Sequence, residues 1–355
     1  MFLLSLSLSL VIEKVILISV ILGGSLGIAM YSTWAERKVA AVMQDRRGPN
    51  RAGPFGLFQP LADGLKLFMK EEIIPTLSSK FLFVLGPSLA MLMALMSSAV
   101  IPWGPDIVTS NGTISLQVAD INIGVLFIFG VVSLGVYGIM LGAWASNNKF
   151  SLLSGLRAAS QAISYELAMG ISLIALVMMT GSLSMREIVD GQHGFWQDGY
   201  FSWNFFKQPL GFLIFIVCSF AELNRAPFDM AECESELIGG YHTEFSSMKL
   251  GFYLFAEYIN MFVSSVILSS LFFGGYNYPG MDWVALHVPP ILFSLIGVGV
   301  LLGKAIGFIL FFMFIRWTLP RFRYDQLMNL GWKSLIPLAL VNMLITGAVI
   351  LWLNK

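Results

Sequence analysis

Carboxylates stand inside apolar stretches of this 355-residue chain, where a charge is costly. Glu166 and Glu257 each lie near the middle of such a stretch, and Glu222 lies with Arg225 at the end of another. A charged side chain at the bilayer centre costs about 2.5–3.5 kcal/mol on insertion scales. Burial also raises the pKa of a carboxyl group towards values at which it exchanges a proton near neutral pH. These acids are therefore candidates for a proton or ion path.

An acidic segment follows the stretch that ends near Glu222. It holds six acids against the two bases Arg225 and Lys249, an excess of four negative charges. The acids are Glu222, Asp229, Glu232, Glu234, Glu236 and Glu244. Carboxylates that lie near one another and near low dielectric repel and desolvate, and both effects raise their pKa. The alternative is a solvated acidic loop, with the acids of the apolar stretches simply hydrogen-bonded to Ser, Tyr or backbone groups.

Membrane helices are the elements predicted to position these residues. The chain is 57% hydrophobic and 12% charged, whereas soluble domains carry about 25% charged residues. A helix needs about 20 apolar residues to cross a bilayer core, and irregular backbone cannot face lipid. Eight stretches qualify, namely 14–33, 81–101, 121–144, 156–180, 209–224, 249–273, 289–316 and 335–353. We predict an all-α integral membrane protein of about eight transmembrane helices, forming a single transmembrane domain over residues 1–355.

The distribution of Lys and Arg predicts the orientation of these helices. Loop 34–80 holds eight basic residues and loop 317–334 holds three, whereas loops 102–120 and 274–288 hold none. The positive-inside rule then places the connections after spans 1, 3, 5 and 7 in the cytoplasm, with both termini outside it. The acidic segment lies on this same side, against the charge pattern of the other cytoplasmic loops.

A short amphipathic helix is predicted within loop 34–80. Pro60 suits the first turn of a helix, and apolar residues follow at helical spacing. They are Leu61, Leu65, Phe68 and Met69. The segment is too short to span a membrane, so it either lies at the membrane surface or packs on a partner protein.

The sequence offers no metal or cluster site of its own. Cys218 and Cys233 form no CxxC pair, and the three histidines, His193, His242 and His287, are scattered. Zinc and iron–sulfur sites need closely spaced ligands. We therefore expect structural or incidental roles for both cysteines.

Three segments of the chain stand out as extended motifs. The first is AERKVAAVMQDRRGPN at 35–50, continued by GLFQPLADGLK at 56–66. The second is SQAISYE at 160–166, and the third is AELNRAPFDMAECESEL at 221–237. A fourth, PRFRYDQLM at 320–328, agrees with them. They fall in order across nearly the whole chain, and together they resemble the family of quinone-site membrane subunits of respiratory NADH:quinone oxidoreductase (complex I), known as the H subunit or subunit 1.

This resemblance implies a membrane protein that binds no NADH, FMN or iron–sulfur cluster itself. Partner subunits of the peripheral arm would carry those groups, and other partners would form the rest of the membrane arm. The chain would form the membrane side of a quinone tunnel, with quinone as substrate, and would couple quinone reduction to proton translocation. It would be an enzyme only as a subunit of the translocase, in an energy-transducing membrane such as the bacterial inner membrane.

The resemblance also implies roles for individual residues. The implied proton relay comprises Glu166, Glu222, Asp229, Glu232, Glu234, Glu236, Glu244 and Glu257. The implied tunnel or docking residues are Arg37, Lys38, Arg46, Asp63, Arg225, Phe228, Arg321 and Arg323. For the basic residues among these, positive-inside anchoring alone is the alternative. Some family members have a carboxylate in the interior of span 3. This chain has none there, and Asp120 lies only at the edge of the span.

Three other functions stay open from the sequence. A membrane subunit of a related energy-converting hydrogenase would share ancestry but lack quinone, although the full first motif and the acidic segment favour the quinone enzyme. A stand-alone ion transporter would show inverted repeats around a midplane site, and no such symmetry is visible. A purely structural anchor would leave the acidic segment unexplained.

Overall fold

The computed structural model describes residues 8–109, 112–193, 196–197, 200–232 and 234–353. Within these residues, seven helices are long and apolar enough to cross a membrane. They are α1 (Leu8–Met43), α3 (Lys80–Met96), α4 (Gly124–Ala145), α5 (Lys149–Thr180), α10 (Ser247–Phe272), α12 (Pro290–Thr318) and α14 (Ile336–Leu353). Helices satisfy every backbone hydrogen bond internally, which is why apolar stretches of this length fold in this way in lipid. The predicted all-α membrane fold is confirmed.

The eighth apolar helix, α8 (Pro209–Glu222), has only 14 residues. It is about 21 Å long, less than the roughly 30 Å of a bilayer core. At its start, the Gln208 amide donates to Thr346 Oγ1 near the end of α14 (2.7 Å). Just beyond its end, Arg225 contacts Glu36 in the last third of α1. The helix therefore runs between the two ends of the bundle, as a fifth span must.

Short elements occupy both ends of the bundle. The short helices are α2 (Gln59–Met69), α6 (Met185–Asp190), α7 (Asn204–Lys207), α9 (Glu234–Leu237), α11 (Met281–His287) and α13 (Tyr324–Asn329). Two antiparallel hairpins pair β1 (Ile107–Thr109) with β2 (Gly112–Ile114), and β3 (Trp196–Gln197) with β4 (Tyr200–Phe201). In the first hairpin, Ile107 pairs with Ile114.

Helix α10 lies at the centre of the bundle, packed against α1, α3 and α12. In the most apolar 18-residue stretch of this helix, 67% is buried inside the protein. Close approach of α3, α4 and α10 depends on glycine: a Cβ on Gly142 would lie 1.9 Å from the Tyr253 hydroxyl oxygen. That hydroxyl donates to the Gly138 carbonyl (3.0 Å). Small residues of this kind let helix backbones meet in membranes, where van der Waals packing drives association.

Several helices extend further than hydropathy predicts. Helix α1 continues to Met43 rather than ending near residue 33, and α5 begins at Lys149 rather than near residue 156. The Asn148 side chain caps the start of α5 by accepting from the Phe150 amide (2.9 Å). A hydropathy window registers only the lipid-facing part of a helix, so it misses polar turns that continue beyond the bilayer.

The predicted amphipathic helix is present as α2. It packs on α1 and α10, and the Ser247 hydroxyl donates to its Leu67 carbonyl (3.1 Å). Its apolar residues Leu61, Leu65, Phe68 and Met69 are exposed. The bundle itself therefore leaves this apolar face uncovered.

The glycine contact provides a test of this packing. Gly142→Ala is expected to displace Tyr253 and to destabilise the bundle by about 1–3 kcal/mol, because overpacking a buried contact strains its surroundings. The measurement is the thermal inactivation midpoint of the protein in membranes. Gly130→Ala in the same helix is the control, since nothing lies within 4 Å of the added Cβ. Equal midpoints for the two variants would contradict the close approach.

Candidate functional site

Five side chains form a buried ionic cluster at the end of the bundle where α1 and α12 terminate. We call Glu36, Arg225, Glu257, Tyr258 and Arg316 the Glu36 cluster. Arg225 donates from Nη1 to Glu36 (3.0 Å) and from Nε to Glu257 (2.5 Å). Arg316 and Tyr258 also donate to Glu36, at 2.5 and 2.8 Å. The Arg225 guanidinium lies 4.3 Å from the Tyr258 ring centroid, a cation–π contact.

Charge balance explains why this cluster can be buried. Two carboxylates face two guanidiniums, and Arg225 is only 3% exposed. Burial by itself lowers the pKa of Arg225, but the carboxylates of Glu257 and Glu36 raise that pKa well above its ordinary value. Arg225 therefore stays charged, and each buried charge in the cluster has a partner, as burial of charge requires.

A polar stripe on α5 holds the acidic segment against the bundle. The Gln161 amide donates to the Ala221 and Phe228 carbonyls, at 2.6 and 2.7 Å. The Ser154 hydroxyl donates to the Ala231 carbonyl, and the Ser151 hydroxyl to that of Tyr241 (2.7 Å). These bonds satisfy a carbonyl in the last turn of α8 and buried backbone carbonyls of the largely irregular segment that follows it. They also fix the backbone from which Arg225, Asp229 and Glu232 project.

A cavity of about 90 Å³, the carboxylate cavity, leads from this segment into the bundle. Glu222, Glu232 and Glu257 line it, together with the polar residues Asn224 and Asn260. Apolar residues of α4 and α10 form much of the remaining wall. The volume could hold several water molecules, since a site needs about 10–15 Å³ of this kind of space for each. Three carboxylates thus share one confined, partly polar space.

Glu232 has a strongly perturbed titration. Burial, and then the nearby charges of Glu257 and Asp229, raise the pKa of Glu232 from 4.5 to about 8. A carboxyl group with such a pKa is mainly protonated at pH 7 and loses its proton as the pH rises through 8. It can therefore give up or accept a proton in response to a small change in nearby charge.

Glu166 lies on α5 and is bonded across the helix interface. The Ser133 hydroxyl of α4 donates to its carboxylate. Glu166 is also close enough to Glu222 to interact with it electrostatically. Span 3 lacks an interior carboxylate, and Ser133 is the polar residue that it presents to Glu166.

The other acids of the segment differ in their burial and in their partners. Asp229 is buried and accepts from Arg321 Nη2 (2.5 Å). Glu236 is exposed and pairs with Arg157 (2.7 Å), and Glu244 accepts from the Asn148 amide (2.6 Å). Neither Glu236 nor Glu244 lines the carboxylate cavity. The Glu234 side chain and all of Cys233 lie outside the described residues.

A second, larger cavity of about 560 Å³ lies between α1, α2, α10 and α12, and we call it the basic cavity. Three members of the Glu36 cluster line it, namely Glu36, Tyr258 and Arg316. Three of the sequence-predicted tunnel residues also line it, namely Arg37, Arg46 and Asp63. Arg37 and Asp63 form an ion pair of 2.8 Å that joins α1 to α2.

The remaining predicted tunnel residues are distributed around the same end of the bundle. Phe228 is buried against Tyr165 and Phe322, with ring centroids 5.5 and 5.4 Å away. Lys38 lies over the Trp34 ring rather than in the cavity wall (5.7 Å). Arg323 is exposed and pairs with Asp325 (3.1 Å).

Sequence reasoning missed Glu36, Tyr258 and Arg316 as site residues. Glu36 is an acid within a strongly basic segment, which was the one available signal. Tyr258 follows Glu257 directly, but sequence could not distinguish a hydroxyl that bonds an acid from a packed ring. Arg316 lay at the predicted end of span 7. Among the described residues, no group of three or more His, Cys, Asp or Glu side chains is arranged to hold a metal ion.

These features define a multi-pass membrane protein with ionised and ionisable groups placed between two cavities. A model of the NADH dehydrogenase family matches residues 15–347. The chain therefore belongs to that family.

The relatives of the chain carry a more specific name. It is 62% identical to a protein of Flavobacterium johnsoniae named as the H subunit of NADH-quinone oxidoreductase, over 96% of each chain. A Cytophaga hutchinsonii protein, named as a first H subunit of the same enzyme, is 62% identical over 96% of this chain and 97% of its own. An H subunit from Thermomicrobium roseum is 46% identical over 94% of each chain.

Loss of the central guanidinium tests the energetic role of the cluster. Arg225→Gln is expected to destabilise the protein by about 3–5 kcal/mol, because it leaves Glu36 and Glu257 buried with less compensation. The measurement is the thermal inactivation midpoint in membranes, together with the amount of assembled complex on native gels.

Arg157→Gln is the matched control for that variant. It removes one partner of the half-exposed pair with Glu236, and exposed pairs contribute only about 0–1 kcal/mol. The double variant Arg225→Gln with Glu257→Gln should recover part of the loss, since it removes one of the uncompensated charges. A midpoint for Arg225→Gln equal to that of Arg157→Gln would show that the cluster is not needed for stability.

Proposed function

We propose that this chain is the H subunit of an NADH:quinone oxidoreductase and forms the membrane side of its quinone-binding tunnel. The family membership and the names of its relatives support this assignment. The basic cavity supports it physically, since about 560 Å³ is within the usual range of ligand sites. The Arg and Lys side chains of its lining are donors suited to quinone carbonyl oxygens, and Leu250, Leu254 and Phe255 supply an apolar wall.

Coupling between quinone chemistry and proton movement is proposed to run through Arg225. This one guanidinium bonds Glu36, which lines the basic cavity, and Glu257, which lines the carboxylate cavity. That arrangement is the observation that carries the proposal. When electrons reach the quinone before its two protons do, the bound group becomes negative beside Glu36, and Arg225 shifts its interaction between the two carboxylates until the protons arrive. Glu257 and its neighbour Glu232 then change their proton affinity.

The energies are of suitable size for this coupling. Moving one charge through 100 mV requires about 2.3 kcal/mol, which corresponds to about 1.7 units of pKa. Weakening one close ion pair in a confined site changes a pKa by about 1–3 units. Several interacting acids titrate as a group, so the proton response belongs to the set rather than to one residue.

The proposed relay has its cytoplasmic part at Asp229 and Glu232 and continues through Glu257 and Glu222. Glu166 with its Ser133 partner forms the inner end, facing the remainder of the membrane arm. The proposed partners are the peripheral-arm subunits, which hold FMN and iron–sulfur clusters and oxidise NADH, and the other membrane-arm subunits. The proposed location is an energy-transducing membrane, namely the bacterial inner membrane, with proton translocation as the coupled work.

Glu232→Gln provides the direct test of the relay. Glutamine keeps the size of the side chain but cannot release a proton, so quinone-coupled proton pumping in membrane vesicles is expected to fall about tenfold or more. In the wild-type protein, deprotonation of Glu232 above a pH of about 8 should lower the pumping rate. The variant should lose that pH-dependent component.

Glu71→Gln is the control for the relay variant, because Glu71 is an exposed acid outside both cavities. It should pump at the wild-type rate. Normal pumping and an unchanged pH profile in Glu232→Gln, with normal assembly, would refute the relay while leaving the family assignment intact.

Partner identity has its own test. An affinity tag on this chain is expected to retrieve subunits that carry FMN and iron–sulfur clusters, detected by visible absorbance and low-temperature electron paramagnetic resonance. Recovery of this chain alone, active in ion flux without any redox partner, would favour a stand-alone transporter.

A further inference from the structure

Several cations that line the basic cavity form no ion pair with an acid among the described residues. Its two carboxylates already have basic partners: Asp63 pairs with Arg37, and Glu36 pairs with Arg316 and Arg225. Four more cations line the same cavity, namely Arg46, Arg47, Lys66 and Lys70. Within the described part of the chain, no carboxylate lies within 4 Å of these four. The cavity therefore presents four uncompensated positive charges.

These four cations lie on the exposed side of the cavity. Arg46 and Arg47 follow the end of α1, while Lys66 and Lys70 lie on and just after α2, and all four are exposed. A quinone or a quinol is uncharged, so it can accept hydrogen bonds from such cations but does not neutralise their charge. A group with negative charge and several acceptor oxygens, such as phosphate, is the natural ligand for neighbouring arginine and lysine side chains.

Apolar side chains stand beside this charged rim. On α2, Leu61, Leu65 and Phe68 are 48%, 63% and 69% exposed, and on α1 Val42 is 80% exposed. Since α1 is a membrane span, this rim lies where a spanning helix leaves the bilayer. Cations beside exposed apolar residues at the end of a spanning helix suit an anionic lipid, which carries a negative headgroup and acyl chains in one molecule.

We propose that the rim formed by Arg46, Arg47, Lys66 and Lys70 binds the phosphate of an anionic phospholipid, whose acyl chains lie along the exposed apolar residues of α2. The lipid covers the apolar face of α2, so that face contacts lipid rather than a partner protein. A free phosphate ion shares the headgroup chemistry but would leave the apolar residues uncovered. The proposal goes beyond the quinone function and does not depend on it.

The test uses the intact complex reconstituted in phosphatidylcholine vesicles that contain a minor fraction of phosphatidylglycerol. After extraction in mild detergent, the phosphatidylglycerol retained for each complex is measured by lipid mass spectrometry. Arg47→Gln with Lys70→Gln is expected to lower retention, by about fivefold for each charge removed. High salt during extraction should lower retention by the wild-type complex, since the attraction is screened.

Three further variants complete the test. Arg47→Lys with Lys70→Arg keeps both charges and should retain phosphatidylglycerol. Lys66→Gln removes one charge and should lower retention by about fivefold. It replaces the charge-loss double variant in the test if that variant fails to assemble. Lys149→Gln is the control for charge, because Lys149 is an exposed base at the same end of the bundle outside the basic cavity. It should retain lipid like the wild-type protein.

The opposing outcomes are also defined. Equal retention in wild-type and charge-loss variants would overturn the proposal, as would an equal loss in Lys149→Gln. Inorganic phosphate is added as a separate arm. If ³¹P-detected phosphate binds at this rim while no phosphatidylglycerol is retained, the rim is a free-anion site and the lipid proposal is wrong.

Discussion

The burial of one guanidinium between two carboxylates is the interaction on which the rest of this protein depends. Arg225 cannot stay charged inside a membrane protein unless Glu36 and Glu257 approach within hydrogen-bonding distance. Glu36 comes from α1, Glu257 from α10 and Arg225 from the segment after α8. Arg316 of α12 then supplies the second positive charge. Four elements that are distant in sequence must therefore pack together at one point.

The ion pairs of Arg225 lie between two cavities and link one to the other. On one side lies the basic cavity, wide enough for a ligand and rich in positive charge. On the other lies the carboxylate cavity, narrow and lined by acids that repel one another. In the proposed coupling, a change of charge on one side reaches the other through Arg225 without large motion, because the guanidinium already bonds to both carboxylates. This geometry gives the proposed coupling a short physical route, independent of any domain movement.

The depth of the acidic segment is a consequence of the short α8 and of the polar residues on α5. Fourteen residues are too few to cross the full bilayer core, and the segment that follows α8 is packed inside the bundle. Irregular backbone is tolerated at that depth only where protein buries it. Gln161, Ser154 and Ser151 supply the required hydrogen bonds. The acids are consequently placed next to low dielectric, which is the condition that raises the pKa of Glu232.

The amino-acid sequence by itself determined the membrane class, the approximate spans, the amphipathic α2 and the unusual acids Glu166, Glu222 and Glu257. These follow from hydropathy, periodicity and charge, which are local properties of the chain. Only the tertiary structure decided that Glu36 and Arg316 join Arg225, that Glu232 faces the carboxylate cavity while Glu236 faces solvent, and that Ser133 bonds Glu166. Partners of a charge are chosen across helices by packing, and neither spacing nor composition encodes which faces of two helices meet. Helix ends also depend on capping side chains, such as Asn148 at the start of α5, and hydropathy does not detect these.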